Sequence, residues 1–330
     1  MKRLAQGSAA LIAGLALSAC GGGGSYSPST PPAPPPPPPP PSGIALTSTN
    51  YQNALKLSIG SPISAFTNAR LGTFYVSSAI AIPLNIMGGP CPVSGTLSIA
   101  YTDVNQNGLQ DKGDYALIQW DQCNSGGLTQ DGILRVDILD VTPLVDGQRI
   151  SINVTTAGLR ITPNNIAGAV TVTYNFVLPL RYTRTSTSDR YEIATASFQS
   201  THLAGQDGLE MLIVDLSQDY ATNTYRYSMS GSIDSDVLGG EIQFETTEAF
   251  TGFIGEFPSA GRLVVTGGGN TKARLSEEGS ALTNPDTVLA AVDSNGDGMD
   301  DTVEPELQWA SVLPLILFES FRGSIVVARP

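Results

Sequence analysis

Leu134-Arg135-Val136-Asp137-Ile138 alternates apolar and charged side chains at every step, and Arg149-Ile150-Ser151-Ile152-Asn153-Val154 repeats the pattern with its own polar set. A period of two puts every second side chain on the same side of an extended backbone, so each segment reads as a strand with one buried face. Val170, Val172, Tyr174 and Phe176 against Thr171, Thr173 and Asn175 extend the pattern, as do Tyr225, Tyr227 and Met229 against Thr224, Arg226 and Ser228. Between such segments fall Asn164-Asn165, Gly239-Gly240 and Gly267-Gly268-Gly269-Asn270, turn signals spaced for hairpins and too close for crossover helices. The fold class expected is all-β, an antiparallel meander forming a sandwich, barrel or curved open sheet with few or no helices. One short helix near 51–57 or 204–212 is compatible with it. Gly158 to Phe176 and Gly231 to Phe250 share a strand–turn–Gly–strand outline, which either a duplication or two generic hairpins would produce.

The first 43 residues differ in kind from the rest. Lys2 and Arg3 precede an apolar stretch from Leu4 to Leu17, and Leu17-Ser18-Ala19 leads directly into Cys20. That stretch is well below the roughly 20 residues of a spanning helix and has the layout of a signal peptide. The segment resembles the lipobox of bacterial lipoproteins, which implies cleavage after residue 19 and diacylglycerol and fatty acyl chains on Cys20. Several buried chains anchor durably where one is marginal. Gly21 after the cysteine implies the outer membrane, with the side faced left open. Residues 20–43 are nearly all Gly, Ser and Pro, including eight consecutive prolines from Pro34 to Pro41. They cannot bury a core, and the proline run predicts a stiff spacer of roughly 25 Å. The division expected is therefore signal peptide 1–19, lipidated linker 20–43 and a β-rich domain 44–330, either whole or as two subdomains of about 44–156 and 157–330.

The mature chain of about 310 residues is long enough for a substantial core. Because residues 1–43 hold two bases and no acid, it carries 30 acids against 15 bases, a formal charge of −15. That balance disfavours nucleic acid and anionic lipid surfaces as partners. Protein and glycan partners both remain open. With Cys20 lipidated, Cys91 and Cys123 are left as an even pair in an oxidising compartment, and a disulfide is expected.

The most specific chemistry lies in Asp293-Ser294-Asn295-Gly296-Asp297-Gly298-Met299-Asp300-Asp301-Thr302-Val303-Glu304. It fits the twelve-residue EF-hand loop, with oxygen ligands at positions one, three and five, Gly at six, an acid at nine and Glu at twelve. Calcium takes six to eight oxygens, and short alternating side chains converge on it only around a sharp turn. Asp293, Asn295, Asp297, the Met299 carbonyl, Asp301 and Glu304 form the expected ligand set. A poorer copy runs through Asp103, Asn105, Asn107, Gly108, Leu109, Asp111 and Asp114, with amides for carboxylates and Asp in place of the last Glu. Ile118-Gln119-Trp120 follows the first loop and Leu307-Gln308-Trp309 the second, as at homologous corners. Strand-like flanks make both resemble the DxDxDG calcium loops of β-rich extracellular proteins, implying a structural ion held at about 10⁻⁴ to 10⁻³ M. Asx turns closed by their own side chains are the alternative.

No catalytic signature accompanies these loops. His202 is the only histidine, no G-x-S-x-G elbow is present, and a loop position is expected for it. The Gly267–Gly269 run lies between strands and not at a strand-to-helix phosphate cradle. Acids such as Asp215, Glu241 and Glu245 are numerous enough for paired-carboxylate glycoside chemistry, which depends on a spatial separation that sequence does not give. The preferred reading is a non-catalytic envelope lipoprotein presenting a calcium-braced domain for adhesion, assembly or ligand binding. A polysaccharide-active enzyme and a lipid-anchored membrane barrel are its rivals.

Overall fold

The computed structural model describes residues 43–79, 87–164, 171–277 and 286–312, all within one compact unit, 39–330. The expected signal peptide at 1–19, Cys20 and the proline run lie outside the described residues. A helix α1, Tyr51–Ala79, comes first. Strands β1 (Met87–Pro90), β2 (Ser94–Thr102), β3 (Tyr115–Asn124), β4 (Leu128–Leu144), β5 (Gly147–Pro163), β6 (Val172–Arg184) and β7 (Ser188–His202) follow. The chain continues through β8 (Gly205–Asp219), β9 (Thr224–Ser235), β10 (Gly240–Phe253), β11 (Ala260–Thr266), β12 (Lys272–Ser276), β13 (Thr287–Asp293) and β14 (Thr302–Gln308), then a turn of helix α2, Trp309–Val312. The fourteen strands form one sheet whose spatial order is the sequence order. Each strand pairs antiparallel with its neighbours, as the hairpin spacing predicts, and the sheet is open, with β1 and β14 at its edges.

The alternation sets which side is core. Leu134, Val136 and Ile138 on β4 and Ile150, Ile152 and Val154 on β5 are at most 2 % exposed, while Arg135 and Arg149 are open to water. Inward residues are buried from Ala116 on β3 to Val292 on β13. Strands about 4.8 Å apart make that span nearly 50 Å wide, several times the diameter of one helix. A flat sheet could not bury it against α1, so the sheet must curve around the helix. Register breaks supply the bend. They interrupt every pairing from β2–β3 through β10–β11, among them Trp120/Cys123, Ala157/Leu159, Val177/Leu180 and Glu210/Ile213. Extra residues at bulges kink and twist the strands that hold them, and repetition along the sheet sums to curvature.

The short helix expected near 51–57 is present but runs for 29 residues, whereas 204–212 is strand: β8 starts at Gly205. Thr47 caps α1, its Oγ1 accepting from Thr49 N–H at 3.4 Å and its carbonyl from Tyr51 N–H at 3.1 Å, while Asn50 Oδ1 reaches back to accept from Thr47 N–H at 2.7 Å. Ala54, Leu55, Ser58, Ile59, Pro62, Ile63, Ala65, Phe66 and Ala69 form a buried stripe at helical spacing. Pro62 cannot donate to the Ser58 carbonyl one turn earlier, and the buried face at this point is small. Phe66 meets Tyr191 of β7 edge to face, 5.5 Å between centroids. Cys91 and Cys123 form the expected disulfide, with Cα atoms 5.4 Å apart, tying the chain after β1 to β3. Closing that loop is worth about 3–4 kcal/mol in the chain-entropy view.

Candidate functional site

Both acidic loops are hairpin corners, the first joining β2 to β3 and the second β13 to β14, and they share one hydrogen-bond plan. Gly298 N–H donates to Asp293 Oδ2 at 2.8 Å, and Gly108 N–H to Asp103 Oδ2 at 2.7 Å. Asn295 Oδ1 accepts from Asp297 N–H and Asp297 Oδ1 from Met299 N–H, both at 2.8 Å. Asn105 and Asn107 do the same for Asn107 N–H at 3.1 Å and Leu109 N–H at 2.7 Å. At position six Gly108 and Gly298 have φ of 75° and 89°, the left-handed region that a side chain disfavours, and both have open space where a Cβ would stand. Backbone conformation and not crowding therefore requires glycine. This match at equivalent positions, spacing included, supports the homology of the corners suggested by their shared Gln-Trp sequel. Both tryptophans are buried, Trp120 on β3 and Trp309 at the start of α2, where its Nε1 donates to Glu277 Oε1 at 2.5 Å.

The last acids behave differently. Asp114 is fully buried and accepts from Val104 N–H at 2.9 Å, Asp111 N–H at 3.0 Å and the Tyr101 hydroxyl at 2.7 Å. Burial alone would raise its pKa, but these three donors outweigh burial and hold the carboxyl below its ordinary value. Asp111 receives the side-chain amides of Asn105 and Asn107. In the second corner Asp301 accepts from Ser294 Oγ at 2.6 Å and Ser294 N–H at 2.7 Å, which lowers its pKa, and it takes Asn295 Nδ2 at 3.1 Å. Glu304 lies on β14 and its Oε2 accepts from Gln52 Nε2 at 2.5 Å and the Tyr51 hydroxyl at 3.2 Å, both on α1. The structure thus brings Asp293, Asn295, Asp297, Met299 and Asp301 into one turn while engaging Glu304 with the helix. Among the described residues, no three His, Cys, Asp or Glu side chains gather closely enough to hold a metal ion. One acceptor stands apart: Asp103 Oδ1 is buried with no partner among the described residues.

His202 is the last residue of β7 rather than a loop residue, and its Nε2 lies 2.9 Å from Asp207 Oδ2 across the β7–β8 hairpin. Sequence reading missed that partner. The two are five residues apart, a spacing that only the two-residue turn converts to contact. Asp189, also unflagged, is buried and receives the Tyr220 hydroxyl at 2.8 Å and the Tyr182 hydroxyl at 3.0 Å, while Tyr182 stacks on Tyr191 at 4.7 Å. Burial, reinforced by the carboxylate, pushes the Tyr182 and Tyr220 phenols upward. Asp215 is held by Arg190 at 2.8 Å, and Glu241 and Glu245 stand on the solvent side of β10. Gly267–Gly269 turns between β11 and β12, as expected.

No family model, curated protein or solved structure matches this chain. Among the described residues no helix is long and apolar enough to cross a membrane.

Proposed function

We propose that this chain is a non-catalytic, lipid-anchored envelope protein that displays its β domain for adhesion, assembly or ligand binding, with calcium as a structural ion at the 293–304 corner. The observation that carries the reading is the outer face of the sheet. Its more apolar side is turned to α1, and its other side carries mainly charged and hydroxyl side chains, with Ile133, Val177 and Ile213 exposed among them and no second layer over it among the described residues. An outward surface bearing Arg135, Asp137, Arg190, Glu192 and Asp215 suits water and not acyl chains, which favours display over a membrane barrel. The ion pair at Asp215 favours display over catalysis, because a carboxylate bound to arginine is a poor general acid.

Attachment rests on the lipobox, and mass spectrometry of the N-terminal peptide tests it. Cys20 should begin the mature chain and carry thioether-linked diacylglycerol, and Cys20→Ala should release the protein from membranes. An unmodified Cys20 in a soluble mature protein would overturn the anchor. For calcium, the ligands would be Asp293, Asn295, Asp297, the Met299 carbonyl and Asp301, with Glu304 drawn from its bond to Gln52. At 10 mM calcium, affinities of about 10⁻⁴ to 10⁻³ M correspond to about 1.4–2.7 kcal/mol and a rise of about 2–4 °C in thermal midpoint. Alanine at Asp293 and Glu304 should abolish the rise. Both variants start from a lower midpoint, since Asp293 accepts two amides and Glu304 ties down α1, so the increment with calcium is the readout. An unchanged midpoint in the parent protein would reduce the corner to an Asx-turn cap.

A further inference from the structure

At one end of β8, β9 and β10 the outer face holds a groove of about 550 Å³, walled on one side by Thr187 of the β6–β7 turn and on the other by Ser259 before β11. Six side chains on a two-by-three grid form its floor. Ser217, Arg226 and Thr251 stand opposite one another across the strands, and Asp219, Thr224 and Phe253 form the next row. Phe253 is 54 % exposed, an aromatic ring open to water on a polar surface. Arg135, Arg160, Arg190, Arg262 and Arg274 each lie within 4.0 Å of a carboxylate. Arg226 has no such carboxylate among the described residues, so its guanidinium keeps its donors for a ligand. Asp219 Oδ1 is occupied by the amides of Ala221 and Thr222 at 2.8 and 3.3 Å, which fix the carboxylate and leave Oδ2 as an acceptor.

We infer that this groove is a saccharide subsite, in which Phe253 packs against the apolar face of a sugar ring while Arg226 donates to its hydroxyls and Asp219 accepts from them. A pyranose offers a flat patch of C–H groups and a rim of hydroxyls that both donate and accept. Complementarity therefore needs one exposed apolar ring beside fixed donors and acceptors, with hydroxyls such as those of Ser217, Thr224 and Thr251 able to play either part. An acidic peptide fits less well, because Asp219 sits diagonally beside Arg226 and repels a second carboxylate. Position on paired strands holds the grid rigid, which reduces the ordering cost of binding. This inference rests on the reading of the domain as a displayed binding module.

Titration calorimetry of the full chain with the uncharged oligosaccharides cellohexaose, chitohexaose and mannohexaose tests it. At least one should bind saturably with Kd of about 10⁻³ M or tighter. Phe253→Ala and Arg226→Ala should each weaken that binding by about tenfold or more, with the thermal midpoint unchanged. Arg149→Ala, an outer-face arginine bonded to Thr183 and away from the groove, should bind as the parent does. The subsite is overturned if none of the three sugars binds, if Phe253→Ala binds equally well, or if a poly-glutamate peptide binds the groove in their place. Those failures leave Cys20 lipidation untouched, so they separate from failure of the display reading.

Discussion

Asp114 stands at the twelfth position of the weaker acidic loop, and its carboxylate is engaged by that corner's own donors. Three donors converge on a carboxylate sealed from water, with Tyr101 supplying the one that sequence spacing does not suggest. A carboxyl whose folded pKa lies below its unfolded value of about 3.9 adds stability above that value and loses it as pH falls through the folded pKa. Asp114→Asn keeps the shape and removes the charge. It should cost about 1.5–3 kcal/mol at pH 7, the usual worth of hydrogen bonds to a charged group, measured by urea denaturation. The gap from the parent should narrow below about pH 4, where the parent's own carboxyl protonates. A gap of equal size at pH 3 would mean that charge contributes nothing there. Position six of each loop was legible, since glycine takes a left-handed turn at least cost, whereas the fate of each final acid depended on what folded over it.

Among the elements, strands declared themselves and the long helix did not. A strand with one wet face writes its burial into alternate residues, and Leu134 to Ile138 or Tyr225 to Met229 could be read directly. In α1 the buried stripe includes Ser58, Pro62 and Asn68, and the intervening positions are themselves partly apolar, so helical contrast is low. Pro62 also looks like a terminator. Packing against the sheet outweighs these local penalties, as tertiary burial commonly does for helices of weak propensity. Phe66, 2 % exposed and set against Tyr191, lies in that interface. Phe66→Ala should destabilise by about 3–5 kcal/mol through lost transfer energy and a residual cavity, read as a lower urea midpoint. A loss under about 1 kcal/mol would show that α1 contributes little to holding the sheet.

For the whole molecule, alternation, hairpin-length turns and a pair of cysteines sufficed for an all-β antiparallel meander with a disulfide, because each is a local or pairwise property of the chain. The expected lipidation at Cys20 and the proline spacer are likewise readings of local sequence, and they are the ground for the proposed envelope location. Closure was not legible. Sandwich, barrel and curved open sheet share the same period of two, and only register breaks in nine successive pairings, summed around one helix, selected the curved open sheet. The same holds for the groove: Ser217, Arg226 and Thr251 come from three strands, and Phe253 is 34 positions from Asp219. Within each unbroken strand segment, sequence by itself determined which side chains face water and which face the core, since a two-residue period fixes that between bulges. Tertiary structure alone decided which of them meet, because register between distant strands is set by the packing of the entire sheet on α1.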